Sequence, residues 1–476
     1  MSFSRNIYHT SHKFLKSILN RYSFVRLDRW ADAGRNVYLS PHYRYFRPEF
    51  IVSSSGSMNK SNAYVLSYEQ ELAIRQANID DWYILKLHDI RHRTHKPLLV
   101  LPFVSSEGLE SALDNKNDIL LQNSQSISSL CESKEMFRTI LKNSGISGVH
   151  IPKTISLQNK PNIYEDIVHM LKVPFFVQEQ SRGGKGTYLI RTHDEFYSLI
   201  NRNLVKATQV ISGNVYNFTA VIIPKPDSSG CSVITYTPSF KPMNIAKLGG
   251  GHFSSVGNEY CPYIVCANDI IQDIIHIGTH LYERYNYIGL FGLDVIIDKG
   301  NYHFIEINAR CQGTTEVSAA VSEMSDEIPA IVLHTMAMLG INPTTDDEVI
   351  LHNQNVAAKL TLRNIRHPFY IKIKAKENVS FVASGFCRTG IYEYNQNGLI
   401  YISPTPRTLD GNIGDGKFVL TNVPSCNTKI IKNMDICMIE GVIENDCIFE
   451  SDTTLSTVGD RLVDQAYSII ARSCSV

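Results

Sequence analysis

Four residues past the middle of the chain, Asp294, Glu306, Asn308 and Arg310, have the types and spacing from which chemistry can be built. On an extended strand alternate side chains share a face. Phe304, Glu306, Asn308 and Arg310 are therefore expected on one side, and His303, Ile305 and Ile307 on the other. A carboxylate, a carboxamide oxygen and a guanidinium in a row are costly to hold against a core unless something occupies them. Magnesium takes hard oxygen ligands and binds together with substrate phosphates, which suits Glu306 and Asn308. Asp294 stands inside the apolar run Leu290 to Asp298. If the two runs form an antiparallel hairpin through Asp298 to Asn301, Asp294 comes almost opposite Glu306, and two carboxylates there repel without a cation. They could instead be the solvent-facing residues of a half-exposed hairpin. Exposed positions inside a strand should have more polar company, so the metal reading is preferred.

A second element is the segment Gln180 to Thr187, with Arg182, Gly183, Gly184, Lys185 and Gly186. Glycines there free backbone N–H groups to curl around phosphate oxygens, and Arg182 or Lys185 adds charge. The same pattern serves an ordinary hairpin turn. It is neither a Walker loop nor a dinucleotide fingerprint, because the apolar residues on both sides make the glycines a connection between two strands.

These residues need elements to position them. Val173 to Glu179 reads as a short buried strand, and Phe218 to Ile223, Val233 to Tyr236, Gly292 to Ile297 and Tyr302 to Asn308 as further strands, with a helix from about Ile271 to Tyr285. Before them, Phe50 to Val52 and Leu98 to Leu101 look like buried strands of an open α/β region with a parallel sheet. Beyond Gly340 a polar loop leads into a β-rich tail, where Asn397-Gly398 between two apolar runs predicts a tight hairpin and a last helix spans about Val458 to Arg472.

With 476 residues the chain exceeds one ordinary core. Three domains are expected: an N-terminal α/β domain (1–130), a central domain (131–345, with a lid subdomain at about 150–212 and a large subdomain at about 213–345) and a C-terminal β-rich domain (346–476). Lysine plus arginine equals aspartate plus glutamate, 46 each, which leaves no electrostatic footprint for nucleic acid. The ten cysteines are scattered without a C-x-x-C pair, as expected of small buried residues in a reducing compartment, so a cytoplasmic protein is expected. No long uninterrupted apolar run exists, so no membrane span is expected. The basic segment from Arg5 to Arg26 reads as a helix packed on the N-terminal domain, with a targeting or membrane-surface helix as the other reading.

Taken in order, these elements resemble the ATP-grasp superfamily of carboxylate–amine and carboxylate–thiol ligases over about residues 130 to 340. Asp294 followed by Glu306-x-Asn308-x-Arg310 is similar to the family's closing motif. Ser133-Lys134-Glu135 looks like the entry helix, where a lysine touches the nucleotide phosphates. Ala207 to Gly213 resembles the hinge, where Gln209 would meet the adenine. The resemblance implies an α/β (α+β) ATP-grasp fold and a cleft for ATP and magnesium, with two ions and manganese as a substitute. It also implies a reaction: the substrate carboxylate attacks the γ-phosphate, and an amine opens the acyl phosphate. Arg310, Glu306 and Asn308 would be the catalytic set, and Asp294, Glu306 and Asn308 the metal ligands. The nucleotide would rest on Lys134, Gln178, Arg182, Gly183, Gly184, Lys185, Gly186 and Gln209.

There is one departure. Where the family has a phosphate-binding lysine at the end of the strand before the loop, this chain has Gln178, so Lys134, Arg182 or Lys185 would supply the charge. Lys241 and His252 lie where ligases of this fold carry substrate loops. The expected partners are a small carboxylate and an amine, with a homodimer, frequent in the superfamily, as a further expectation. Loading of a carrier-protein thiol and a non-catalytic nucleotide-binding role are the alternative functions.

Overall fold

The computed structural model describes residues 17–18, 20–30, 49–55, 63–65, 79–113, 117–157, 163–180, 186–227, 229–249, 253, 255–260, 263–325, 327–361, 366–381, 387–395, 398–403, 416–423, 428–430, 432–433 and 435–475. The basic segment before residue 17, the loop residues Arg182, Gly183, Gly184 and Lys185, and His252 lie outside them.

The chain is mixed α/β. The first sheet holds β1 (Ser23–Trp30), β2 (Phe50–Ser55), β3 (Ala63–Val65), β4 (Leu98–Pro102) and β5 (Ile119–Leu120) in the order β3-β2-β1-β4-β5, all parallel. Leu98 to Leu101 are all buried, which is why β4 reads as a continuous apolar run and does not alternate. The helix Ile79–Thr94 leads into β4 and packs Leu87 and Ile90 on this sheet.

The second sheet is antiparallel: β6 (Thr154–Ser156), β7 (Phe175–Glu179), β8 (Thr187–Ile190) and β9 (Leu204–Gln209) in the order β6-β9-β7-β8. One face, with Phe175, Val177, Ile190 and Ala207, packs against Ile167 and Phe196 of the helices Ile163–Leu171 and His193–Tyr197. The glycine-rich segment joins β7 to β8, as its flanks suggest.

The largest sheet has 11 strands among the described residues. It comprises β10 (Asn214–Pro224), β11 (Cys231–Thr235), β12 (Ser239–Phe240), β13 (Gly257–Tyr260), β14 (Gly289–Asp298), β15 (Asn301–Asn308), β16 (Arg366–Lys374), β18 (Gly390–Asn395), β19 (Gly398–Ser403), β20 (Lys417–Thr421) and β22 (Asp435–Glu444). Its order is β15-β14-β10-β12-β13-β16-β22-β20-β18-β19, with β11 also on β10. β16, β18, β19, β20 and β22, all after residue 365, thus extend the sheet that carries Asp294 and Glu306, joined through the antiparallel pair β13 and β16. A hairpin forms near Asn397-Gly398 as the pair β18 and β19, but Gly398 pairs with Asn395 as the first residue of β19 and is not a turn residue as expected. A small sheet, β21-β17-β23, joins β17 (Val379–Phe381) to β21 (Thr428–Ile430) and β23 (Cys474–Ser475).

The helix Ala267–Tyr285 lays Ile270, Ile271, Ile274, Ile277 and Leu281 on the large sheet at helical spacing and stops at Asn286, which is left-handed with φ 53°. The helix Asp346–Leu360 buries Val356, Ala357 and Leu360 in the same core. The helices Thr315–Met324 and Ala330–Met338 share another core with Leu99 and Leu101 of the first sheet and Leu121 just after β5. Asn123 fastens the two regions. It accepts from Ile288 N at 2.9 Å and donates to Ile288 O at 2.7 Å.

Cys131, Cys266, Cys311, Cys387 and Cys437 are free and buried, and Cys231 and Cys447 are free and half-buried. No described helix is long and apolar enough to cross a membrane.

Candidate active site

β14 and β15 pair with Asp294 opposite Glu306 and Gly292 opposite Asn308. The register slips after Asp294, because Val295 faces Phe304, and Ile305 is the extra residue of a β-bulge. The bulge corrects the expected alternation. Phe304 does not share the face of Glu306 but is buried in the core with Ile307. Ile305, expected on the far side, lines the same cleft as Glu306, Asn308 and Arg310.

Asp294 is only 2% exposed. Its Oδ1 accepts from Asn217 Nδ2 at 2.7 Å and its Oδ2 from Lys241 Nζ at 2.6 Å. Asn217, Asp294 and Glu306 form one row across three adjacent strands. Burial raises the pKa of Glu306 and Asp294 adds to the rise, while Lys241, Arg310 and Lys134 pull it down. Burial works against the Lys241 ammonium, but Asp294 and Glu306 together outweigh it and its pKa is raised. The two carboxylates thus draw in a cation, as two carboxylates this close require.

Asn217 Nδ2 also donates to Gln312 Oε1 at 2.7 Å, and Thr314 Oγ1 donates to Asn217 Oδ1 at 3.3 Å. Gln312 lies so close over Gly292 that a Cβ there would come 1.8 Å from its Nε2. The polar row continues toward the C-terminal strands: Asn258 Nδ2 donates to Ser239 Oγ at 2.7 Å, and Tyr370 Oη donates to Asn258 Oδ1 at 2.8 Å.

The other wall of the cleft, whose volume is about 820 Å³, is the polar face of the four-stranded sheet, with Phe176, Gln178, Thr187, Lys206 and Thr208. These positions alternate with the apolar ones that face the helices. Gln178 Nε2 donates to Thr187 Oγ1 at 3.2 Å. Lys134 sits in the turn before the helix Phe137–Asn143, not inside a helix from Ser133, and its Nζ donates to Glu179 O at 2.8 Å. Burial lowers the pKa of Lys134, against Glu306 and Glu179. Gln209 lines the cleft at the end of β9, with its N–H given to Lys153 O at 3.0 Å. Gly186, left-handed with φ 69°, closes the β7–β8 hairpin by accepting from Glu179 N at 2.8 Å. Arg310 reaches the cleft with its Nε 3.1 Å from Glu132 Oε1.

No group of three or more His, Cys, Asp or Glu side chains able to hold a metal occurs among the described residues. Two carboxylates and one carboxamide do not make a closed cage. They fit an ion that completes its shell with phosphate oxygens and water.

Reading the residues in order missed Lys206, Asn217 and Gln312. Lys206 carried a signal: it interrupts the apolar run Leu204-Val205-Lys206-Ala207 just as Asp294 interrupts its own. Asn217 and Gln312 carried none, since neither stands out from its neighbours by type.

A small antiparallel sheet closing a cleft against a larger sheet that bears an acid pair is the arrangement of the ATP-grasp fold, and the chain has that fold. The biotin carboxylase domain of Hydrogenobacter thermophilus 2-oxoglutarate carboxylase, solved with MgADP and bicarbonate, is similar with a TM-score of 0.57. The identity is 11%, over 89% of this chain and 86% of that one. An L-amino acid ligase from Bacillus licheniformis is similar with a TM-score of 0.53 and 11% identity, over 95% and 98% of the two chains. The N5-carboxyaminoimidazole synthetase of Staphylococcus aureus, complexed with ADP, gives 0.51 and 11%, over 94% and 97%. Compared by sequence, the chain matches no family model and no curated protein.

Proposed function

We propose that this protein binds MgATP in the cleft and uses it to join a small carboxylate to an amine. The observation that carries the reading is the acid pair, buried Asp294 opposite half-buried Glu306 with Asn308 beside them, in a cleft that Lys206 of the lid sheet and Lys134 also line. It is supported by the likeness to solved structures that hold ADP or MgADP and to an amino acid ligase.

A carboxylate oxygen attacks the γ-phosphorus of ATP, the bond to ADP breaks, and an acyl phosphate forms. The amine nitrogen then attacks the acyl carbon, phosphate leaves, and the nitrogen loses a proton. Such transfer needs charge neutralisation and in-line positioning more than a strong base. Glu306 and Asn308, with Asp294 behind them, would hold magnesium, which when bound neutralises the phosphate oxygens. Arg310, steadied at Nε by Glu132, presents its terminal nitrogens to the reacting carboxylate. Gln178 and Lys134 would serve the nucleotide phosphates, and Gln209 the adenine end of the cleft. A homodimer and a cytoplasmic setting are part of the same reading.

The test is product analysis after incubation with ATP, magnesium and a pooled library of amino acids and amines. ADP and phosphate with a new mass equal to acid plus amine minus water support the reading and name the substrates. AMP with pyrophosphate overturns the mechanism. ATP bound without turnover across the pool favours a carrier-protein thiol as acceptor or a non-catalytic binder.

A further inference from the structure

In the lid sheet β7 and β9 run antiparallel with Gln178 directly opposite Lys206, and β8 places Thr187 on the other side of Gln178. All three side chains line the cleft. Lys206 is 5% exposed, and among the described residues its ammonium has neither a hydrogen bond nor an ion pair. Its ammonium lies over the Phe137 ring, 5.3 Å from Nζ to the centroid. Lys134 is near enough to repel it, and Glu306, across the cleft, is near enough to attract it. Burial, reinforced by Lys134, pushes the Lys206 ammonium down to about 8, and Glu306 does not offset this.

An ammonium held out of water without a counter-ion destabilises a fold, and a second lysine beside it adds to the cost. The arrangement becomes favourable when an anion enters between the two. The anion that belongs between the lid sheet and Glu306 and Asn308 is the phosphate chain of the nucleotide. The substrate carboxylate belongs nearer Arg310.

We propose that Lys206, with Lys134 and the Gln178 amide, forms the subsite for the nucleotide phosphates, so that the charge absent from β7 is supplied by the facing position on β9. The proposal rests on the ATP reading above and names the group that makes Gln178 workable. Arg182 and Lys185 are then not required for this charge.

The test is calorimetric titration of the unaltered chain, Lys206→Met, and Lys206→Met combined with Gln178→Lys, each with MgATP and with adenosine. Removing one charge-assisted contact is expected to weaken MgATP binding roughly 10- to 100-fold. Adenosine binding should be unchanged, and the double variant should regain most of the lost affinity. Unchanged MgATP binding in Lys206→Met, an equal loss for adenosine, or a double variant no better than the single one overturns the proposal. If the unaltered chain binds neither ligand, the ATP reading itself fails, which is a different result from variants that match a binding parent. Should Lys206→Met not fold, Lys206→Gln carries the same comparison with a polar atom retained.

Discussion

The Lys241 ammonium lies 2.6 Å from Asp294 Oδ2, and the Asp294 carboxylate is in turn directly opposite Glu306 on the neighbouring strand. A single lysine thereby neutralises part of the acid pair, through its buried member Asp294, before any metal or nucleotide is added. Removing one partner of a buried ion pair leaves the other charge uncompensated. Lys241→Met is therefore expected to cost about 3 kcal/mol in urea denaturation with chelator present. Magnesium should restore part of this loss. Equal stability of the variant and the parent in chelator would mean that Lys241 does not neutralise the pair.

Glu306→Gln keeps the shape of the side chain and removes its charge. Turnover is expected to fall by about a thousandfold or more, the loss of roughly 4 kcal/mol of charge stabilisation, with an unchanged far-ultraviolet spectrum. ADP release over a series of magnesium concentrations reads this directly. An active variant with the parent's magnesium dependence would remove Glu306 from the metal set.

Gly292 faces Asn308 in the register and leaves room for Gln312, whose Nε2 would stand 1.8 Å from a Cβ at that position. Gly292→Ala must push Gln312 away from Asn217, and so loosen the support of Asp294. Overpacking of this kind costs about 1–3 kcal/mol. Turnover should drop further than stability alone explains. The fall in melting temperature and in ADP release would be compared, and a variant stable but fully active would contradict the role given to Gln312.

His334 is 1% exposed, accepts from Leu290 N at 3.0 Å and donates to Leu121 O at 3.0 Å. Burial lowers its pKa from 6.5 to about 4, against the Leu121 contact and with Arg26 adding to the fall. The unfolded chain takes up a proton below about 6.5 that the folded chain refuses until about 4, so stability is full above this window and is lost as pH falls through it. The loss attributable to His334 is about 3 kcal/mol. His352, buried and donating to Thr235 O at 2.7 Å, is lowered by burial as well and acts in the same direction. Urea midpoints across this range should slope upward with pH, less steeply in His334→Gln. An identical slope in the variant would assign the acid sensitivity elsewhere.

The site was partly legible because its logic is local. Asp294 inside an apolar strand, and Glu306 and Asn308 two positions apart, are anomalies of residue type that strand periodicity exposes. The same periodicity failed at Phe304, since a bulge at Ile305 shifts every residue before it to the other face and leaves no mark in composition. Lys134 and Gln209 were found through resemblance, and both line the cleft. Arg182, Gly183, Gly184 and Lys185 fall outside the described residues.

By itself the sequence determined the alternation of strands and helices, the hairpin that brings Asp294 to Glu306, and the presence of acid, amide and guanidinium groups on one element, because these follow from spacing along a single stretch of chain. Tertiary structure alone decided that Lys206 faces Gln178, that Lys241 and Asn217 hold Asp294, that Glu132 engages Arg310, and that β16, β18, β19, β20 and β22 continue the sheet of the site. Those partners are separated by tens of residues. Which of them meet is settled by strand register and the packing of whole faces, and no local pattern encodes either.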